Sequence, residues 1–300
     1  MYNETMYERG NAPSAIRELF AYGMERKAQI GEDKVFDFSI GNPSVPAPDS
    51  VAETIRELAD MAPAQLHAYS AAQGLESTRA AIAENLNKRF GTHYTADNLY
   101  LTMGAAACLS ACFTALIEPG DEIIVIAPYF PEYRIWIEFA GGVCVEVPAR
   151  EDNFQIDLDA LEQAITEKTK AVVINTPNNP VGTVYTRETL EGLADVLVQA
   201  EQKFDHDIYL ISDEPYRELT YGVEVPWVPA IYPNTLVCYS WSKSLSLPGD
   251  RIGYVLVPNE VHDSREVYLA VCGAGRSLGY ICAPVFFQRV IERCVDEPTN

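Results

Sequence analysis

The chain has 300 residues, of which 48% are hydrophobic and 22% charged, and its 22 lysines and arginines against 43 aspartates and glutamates give a formal net charge of -21. This length suits one large domain or two ordinary ones, and it can bury a core without disulfides or a structural metal. A field of that sign repels phosphate backbones, and because no basic cluster offsets it we expect no nucleic-acid partner. No apolar run reaches the ~18 residues that cross a bilayer, and the polar start lacks the features of a signal peptide, so we expect no membrane partner.

The cysteines and histidines give no indication of a metal centre. Seven cysteines lie scattered in apolar contexts, and the four histidines are isolated. Cys108 and Cys112 lie four residues apart, and we expect them to be a packed, reduced pair on one helix face. Reduced thiols are typical of the cytosol, so the sequence predicts a cytoplasmic protein with no metal.

The first part of the chain is predicted to be helical and then irregular. Residues 1–35 are polar and helical in pattern, and residues 40–48 form a loop rich in proline and glycine. Ser50 and Glu53 have the spacing of a capping box, which predicts a helix that continues through Leu58.

From about residue 98 onward, short apolar runs alternate with longer amphipathic ones. The pattern predicts strands at 98–102, 122–126, 143–147, 171–174, 208–211, 236–239 and 252–257, and helices at 105–117, 131–140, 158–165 and 187–202. The strands are too continuously apolar to have an exposed face, which favours a mainly parallel sheet covered on both sides. We therefore predict an α/β domain, and such sheets bind ligands beyond the carboxyl ends of their strands.

Residues able to bind a ligand follow five of the predicted strands. They are Gly104, Ala105 and Ala106; Tyr129 and Phe130; the run from Asn175 to Gly182; Asp213 and Tyr216; and Ser240, Ser242 and Lys243, with Arg251 eight residues further on. Taken singly, each has an ordinary structural explanation, such as an exposed lysine or a turn aspartate. The argument rests on their joint occurrence at strand ends.

Together these residue types suit a phosphorylated aromatic aldehyde. Backbone N–H groups at a helix start, serine hydroxyls and an arginine bind a phosphate group. An aromatic side chain stacks on a flat ring, and a buried aspartate keeps a pyridine nitrogen protonated. A lysine forms a Schiff base with the aldehyde and then carries a proton, while the ligand serves as an electron sink.

The stretch from Ser240 to Gly253 reads Ser-x-Ser-Lys followed by Gly-x-Arg-x-Gly. It resembles the lysine signature of the class I/II aminotransferases, which are fold-type I enzymes dependent on pyridoxal 5′-phosphate. Asn175 to Gly182 and Asp213 to Tyr216 resemble two further blocks of that family, in the expected order. The resemblance implies a three-layer α/β/α fold with a mainly parallel mixed sheet, and pyridoxal 5′-phosphate as the cofactor.

The resemblance also implies a role for each matching residue. Lys243 would form the Schiff base, Asp213 would pair with the pyridinium nitrogen, and Asn179 and Tyr216 would bind the phenolic oxygen of the ring. Phe130 would stack on the ring, in preference to Tyr129. The phosphate would be held by Gly104, Ala105, Ala106, Ser240, Ser242 and Arg251, joined by Tyr69 from a neighbouring subunit. Gly41 and Asn179 would contact the substrate.

The implied enzyme is a homodimer with shared active sites that transfers the amino group of an L-amino acid to a 2-oxo acid in ping-pong fashion. A β-lyase or a racemase on the same scaffold is the alternative reaction, and a cofactor-binding sensor module is a non-enzymatic one. The implied domains are an N-terminal arm with part of a small domain (1–45), a large cofactor-binding domain (46–287) and the start of a C-terminal small domain (288–300). No arginine matches the one that binds the substrate carboxylate in that small domain, so a cofactor-binding fragment with little activity is a further alternative.

Overall fold

Two units make up the chain, Met1–Ser44 and Val45–Asn300. The structure, a computed structural model, describes residues 1–12 and 15–299, excepting the side chains of 15–17. The first unit contains helices α1 (Glu4–Asn11) and α2 (Ala15–Ile30). The side chain of Asn3 caps α1 by accepting a hydrogen bond from the Met6 N–H, which satisfies one of the unpaired donors at a helix start. The helical interpretation of this region is therefore confirmed for its described residues.

The second unit begins with three helices, α3 (Asp49–Ala59), α4 (Pro63–Leu66) and α5 (Glu76–Phe90). The predicted capping box at the start of α3 is wrong. Pro48, in an extended conformation, takes the N-cap position, and no side chain caps the helix. Because the helix begins before Ser50, that serine lies inside its first turn, where Asp49 complements the helix dipole instead.

A seven-stranded mixed sheet forms the centre of the second unit. Its strands are β1 (Leu99–Thr102), β2 (Glu122–Ala127), β3 (Val143–Pro148), β4 (Thr169–Asn175), β5 (Tyr209–Asp213), β6 (Thr235–Ser240) and β7 (Gly253–Leu256). Their spatial order is β1-β7-β6-β5-β4-β2-β3. Strand β7 runs antiparallel to β1 and β6, and the other neighbours pair in parallel. The prediction of a mainly parallel mixed sheet is confirmed.

The remaining helices are connections between these strands or follow the sheet. They are α6 (Ala105–Leu116), α7 (Glu132–Phe139), α8 (Leu158–Ala164), α9 (Arg187–Phe204), the short α10 (Trp241–Ser244), α11 (Ser264–Ser277) and α12 (Val285–Cys294). Each helix and strand predicted from residue 98 onward is present, with ends that shift by no more than two residues. The predicted boundary between 287 and 288 falls within α12, and it stays a prediction.

Both faces of the sheet are covered by helices. Alternate residues of β2 enter separate cores, since Ile123 packs with α6, α7 and α11 whereas Ile124 packs with α8 and α9. At the β1 end, the second face is covered by α3, α5 and α12. The inner strands are buried on both faces, which explains their apolar runs, whereas the edge strand β3 is largely exposed or half-buried. The layers confirm the predicted α/β/α architecture.

The cysteines and the helices add two observations. Cys108 and Cys112 are buried on α6 and unpaired by disulfides, as expected for a packed, reduced pair.

Among the residues that the structure describes, no helix combines the length and apolar character required to cross a membrane.

Candidate active site

Three adjacent parallel strands end at one edge of the sheet, and each ends in a polar residue. Asn175 is the last residue of β4, Asp213 the last of β5 and Ser240 the last of β6. The register places Asn175 directly beside Asp213. Since parallel strands present their carboxyl ends on the same side, the local fold gathers these side chains where an open α/β sheet binds ligands.

Asp213 is the most strongly perturbed acid of this cluster. Only 5% of the residue is exposed, and its Oδ2 accepts a 2.5 Å hydrogen bond from the Tyr133 hydroxyl. Its Oδ1 is buried with no hydrogen-bond partner among the described residues. Burial raises the pKa of Asp213 to about 7, and the nearby Glu214 adds to this rise while the Tyr133 hydrogen bond opposes it. An unpartnered carboxylate oxygen in a buried position is costly unless a ligand supplies a donor.

A chain of side-chain contacts extends from Asp213 along the strand ends. The Asn175 side-chain amide donates to the Asp213 carbonyl at 2.8 Å, and its oxygen accepts the Asn179 N–H at 2.5 Å. Asn179 in turn donates to the Tyr216 hydroxyl at 3.2 Å. Burial raises the pKa of Tyr216, and the Asp213 carboxylate adds to this effect. The phenol therefore stays protonated at neutral pH and can donate to an anionic oxygen of a ligand.

Lys243 lies on the short helix that follows β6. Its Nζ is 5.9 Å from the centre of the Tyr216 ring, so the amine and the phenol belong to the same cluster. The side chain is half-buried, and this burial lowers the pKa of the ammonium group. A lowered pKa raises the fraction of neutral amine, which is the form that attacks a carbonyl or accepts a proton.

The start of α6 and the guanidinium group of Arg251 lie side by side, and we refer to the two together as the anion cradle because both attract negative charge. Gly104 precedes the helix with φ +83°, and a Cβ at this position would approach Arg251 Nη2 within 2.8 Å. Gly253 is constrained as well, because a Cβ there would collide with the Tyr239 carbonyl oxygen and lie 3.1 Å from the Gly104 backbone. Ser240 and Ser242 lie beside each other, with their hydroxyls 3.1 Å apart. A helix N-terminus with an arginine and serine hydroxyls is a binding arrangement for phosphate.

Two aromatic residues follow β2, and they have different surroundings. Phe130 packs edge-on against Tyr133, with ring centres 5.9 Å apart. Tyr129 instead donates its hydroxyl to Glu146 at 2.5 Å, a carboxylate on the edge strand β3. Both rings are half-buried, so the assignment of Phe130 as the stacking residue stays a prediction.

Two further predicted residues, Tyr69 and Gly41, are exposed in the chain. Tyr69 belongs to the second unit, and 92% of the residue is exposed. Gly41 lies in an exposed loop of the first unit. Their roles toward a phosphate and a substrate stay predictions. Within the described part of the chain, no group of three or more histidine, cysteine, aspartate or glutamate residues could hold a metal ion.

Sequence reasoning assigned no individual role to two members of the cluster, Tyr133 and Asn175. Asn175 belongs to the run after a predicted strand that is able to bind a ligand, but its link to the neighbouring strand depends on the register of the sheet. Tyr133 lies on α7, 80 residues before Asp213, and an aromatic residue on an amphipathic helix is ordinarily a core residue. Only the folded arrangement brings its hydroxyl to the carboxylate.

The fold and the cluster together define a class of protein. An amine of lowered pKa, a buried carboxylate and an anion cradle lie along the carboxyl edge of a mainly parallel sheet. This arrangement defines an α/β protein with a cluster of polar and ionisable side chains at the carboxyl ends of its parallel strands.

Comparison with known proteins identifies the family. Residues 33–278 match the model of the aminotransferase class I and II family, and the chain belongs to that family. It is 37% identical over 251 residues to an aspartate/prephenate aminotransferase of Thermus thermophilus, a match that covers 83% of this chain and 62% of the relative. A match to a putative aminotransferase of Bacillus subtilis is 34% identical and covers 84% of this chain and 63% of that protein. The chain thus spans less than two thirds of the length of these curated relatives.

Solved structures agree with this assignment. The crystal structure of an aminotransferase from Eubacterium rectale superposes with a TM-score of 0.97 at 57% identity, and the match covers all of this chain and 76% of that one. Aspartate aminotransferase from Thermus thermophilus with maleate superposes with a TM-score of 0.83 at 30% identity, covering 99% of this chain and 73% of that one.

Proposed function

We propose that this chain binds pyridoxal 5′-phosphate and acts as an aminotransferase, moving the amino group of an L-amino acid to a 2-oxo acid. The observation that carries this proposal is the buried Oδ1 of Asp213, which lacks a partner among the described residues. A protonated pyridine nitrogen supplies the donor that this oxygen requires. Family membership and the aminotransferase names of the relatives support the same reaction.

The residues of the cluster fit the cofactor in kind and in arrangement. The anion cradle at Gly104 would hold the phosphate, together with Ser240, Ser242 and Arg251 and the first N–H groups of α6, from Ala105 and Ala106. Asp213 would accept the ring N–H, and Asn179 and Tyr216 would donate to the phenolic oxygen. Phe130 would cover the ring face, and Tyr69 would contact the phosphate of a neighbouring subunit.

When bound, the cofactor would supply an electron sink for the negative charge that develops at the α-carbon of the substrate. The residues of this chain would supply the proton transfers and the orientation. Lys243 Nζ, with its lowered pKa, would accept a proton from the α-carbon and return it as an ammonium group. The Asp213 carboxylate would keep the ring nitrogen charged, and the Tyr216 hydroxyl would stabilise the neighbouring anionic oxygen.

We further propose a cytoplasmic homodimer in which each subunit completes the other's site through Tyr69. The exposure of that tyrosine, 92% in the isolated chain, supports this arrangement because a side chain offered to a partner must be accessible. We also propose that residues 46–287 form the large cofactor-binding domain, that residues 1–45 form an N-terminal arm with part of a small domain, and that residues 288–300 belong to the C-terminal small domain. Gly41 and Asn179 would then contact the substrate.

A spectroscopic measurement after reduction tests the cofactor. The purified chain is incubated with pyridoxal 5′-phosphate, reduced with borohydride and desalted in denaturant, which removes all cofactor that is not covalently bound. Absorbance of the reduced cofactor should remain on the protein, because only a Schiff base to a lysine is converted to a stable bond. Lys243→Ala should lose this absorbance, and Lys203→Ala, a change of an exposed lysine on α9, should keep it. If no absorbance remains on the wild-type chain, or if it persists in Lys243→Ala, the proposal is refuted.

The products distinguish the reactions that one cofactor can support. Aspartate, alanine and cysteine are each supplied with and without 2-oxoglutarate, and the 2-oxo acid, ammonia and stereoisomers formed are measured. Transamination gives one 2-oxo acid per acceptor consumed. Ammonia and pyruvate without an acceptor would indicate a β-lyase, inversion of the amino acid a racemase, and bound cofactor without turnover a binding fragment.

A further inference from the structure

We propose that Tyr133 is a positioning residue that holds one oxygen of Asp213 and so reserves the other for the ring nitrogen of the cofactor. This inference rests on the proposed function and extends it to a residue outside the predicted site. Tyr133 would touch neither substrate nor cofactor and would act through Asp213 alone.

The geometry at Asp213 is asymmetric. An ionised carboxylate has about four acceptor positions on its two oxygens. The Tyr133 hydroxyl occupies Oδ2 at 2.5 Å, while Oδ1 is buried with no partner among the described residues. The backbone of Asp213 is held separately, since Asn175 donates to its carbonyl at 2.8 Å. With the backbone and one oxygen fixed, the direction of the other oxygen is fixed as well.

Tyr133 is itself rigidly placed. The residue is 1% exposed and belongs to the core formed by α6, α7 and α11. Its ring lies 5.9 Å from Phe130 in an edge-on contact and 6.4 Å from Trp136. A buried tyrosine usually satisfies its hydroxyl with a nearby partner. Here the partner is a side chain of the site rather than a backbone group.

The hydrogen bond also sets the charge of the carboxylate. Burial raises the pKa of Asp213 to about 7, with a smaller contribution from Glu214, whereas the Tyr133 hydrogen bond lowers it. The other titratable groups around this pair are Tyr216 and Cys238, both neutral at pH 7 because burial raises the pKa of each. Without the Tyr133 hydroxyl, Asp213 would gain a proton near neutral pH and lose its ability to accept a hydrogen bond from a charged ring nitrogen.

The consequence is measurable as a preference for a ring nitrogen. The cofactor-free chain is titrated at pH 7.5 with pyridoxal 5′-phosphate and with 1-deazapyridoxal 5′-phosphate, in which a carbon replaces that nitrogen. We expect Tyr133→Phe to weaken the binding of pyridoxal 5′-phosphate about tenfold and to change the binding of the 1-deaza compound by no more than about twofold. Only pyridoxal 5′-phosphate has a ring nitrogen, so only its binding loses a charged hydrogen bond to Asp213. Tyr268→Phe is the matched control, since this buried tyrosine of the same core donates to the Leu99 carbonyl.

The outcomes separate this inference from the function on which it rests. A wild-type chain that binds neither compound would overturn both. A wild-type chain that prefers pyridoxal 5′-phosphate, with a Tyr133→Phe variant that keeps the same preference, would overturn this inference alone. If Tyr133→Phe weakens the binding of both compounds equally, Tyr133 only supports the core, and the inference is also overturned.

A double-mutant cycle gives an independent readout. In an Asp213→Asn background no carboxylate remains to be positioned, so adding Tyr133→Phe should leave the ratio of the two affinities unchanged. A further fall in the ratio would contradict the inference. Should Tyr133→Phe fail to fold, 3,5-difluorotyrosine at position 133 replaces it. The hydroxyl of 3,5-difluorotyrosine is a stronger donor, so this variant should raise the ratio of the affinity for pyridoxal 5′-phosphate to that for the 1-deaza compound. An unchanged or lower ratio overturns the inference.

Discussion

The buried carboxyl group of Asp213 should destabilise the cofactor-free chain, and replacing it with an amide should relieve that cost. Burial raises the pKa of Asp213 from 3.8 to about 7. Between these two values the folded chain holds a proton that the unfolded chain releases, so the free energy of unfolding decreases as the pH rises. Asp213→Asn removes this titration while keeping the shape of the side chain.

The size of the effect follows from the shift. A shift of about three pKa units corresponds to about 4 kcal/mol once the group is fully ionised in both states. This cost is absent below pH 3.8, and it is present in full above about pH 7. Between pH 6 and pH 8, where the folded-state carboxyl group titrates, the advantage of Asp213→Asn over the wild-type chain should grow by about 1 kcal/mol.

Urea denaturation of the cofactor-free chain, followed by circular dichroism at several pH values from 6 to 8.5, measures this advantage. Asp195→Asn, a change of an exposed aspartate on α9, is the control and should shift the free energy of unfolding by less than about 0.5 kcal/mol throughout. If the advantage of Asp213→Asn stays constant over this range, or if the variant is the less stable protein at pH 8, the reasoning about the buried carboxyl group is refuted.

Three further predictions concern packing and buried charge. Gly253→Ala should lower the free energy of unfolding by about 2 kcal/mol, since its Cβ would collide with a backbone carbonyl of β6. Gly249→Ala should lower it less, because a Cβ at that position meets no atom within 4 Å. Arg217→Met should cost about 3–5 kcal/mol by leaving its buried carboxylate partner unpaired, while Arg187→Met, at an exposed pair on α9, should cost less than about 0.5 kcal/mol. Phe113→Ala should cost about 3–5 kcal/mol, because the ring is fully buried in the core. All five free energies are measured by urea denaturation.

These predictions can each fail in a distinct way. Equal stability of the two glycine variants would mean that β6 and β7 have room to separate. Equal stability of the two arginine variants would mean that water reaches the buried ion pair. A small loss for Phe113→Ala would mean that the surrounding helices collapse into the space left by the ring.

The sequence was sufficient to predict the α/β layers because the central strands are apolar along most of their length. Residues such as Ile123 and Ile124 enter different cores, so neither face could be polar. The start of α3 was predicted incorrectly because a serine–glutamate spacing also occurs inside a first turn. Only the conformation of Pro48 decides where that helix begins.

The site was partly predictable for a related reason. Residues at the carboxyl ends of strands, such as Asp213 and Ser240, come together in any parallel sheet, so their proximity follows from the predicted fold. Tyr133 reaches the site through the packing of α7 against the sheet, and no local pattern specifies that contact. The exposure of Tyr69 is equally unspecified by its local sequence.

The sheet order also determines how late in synthesis the sheet can be completed. Among the described residues, strand β1 pairs only with β7, and Leu99 lies opposite Leu256. About 150 residues must therefore be synthesised before β1 can pair with its neighbour. At a synthesis rate of roughly 5–20 residues per second, this apolar strand stays unpaired for about 8–30 seconds. During that time it is exposed to chaperones and to aggregation. Gly104 and Arg251, the two sides of the anion cradle, come together only after β7 has been synthesised and has paired with β1. A ligand bound in the cradle can therefore stabilise the finished sheet, but it comes too late to assist any earlier stage of folding.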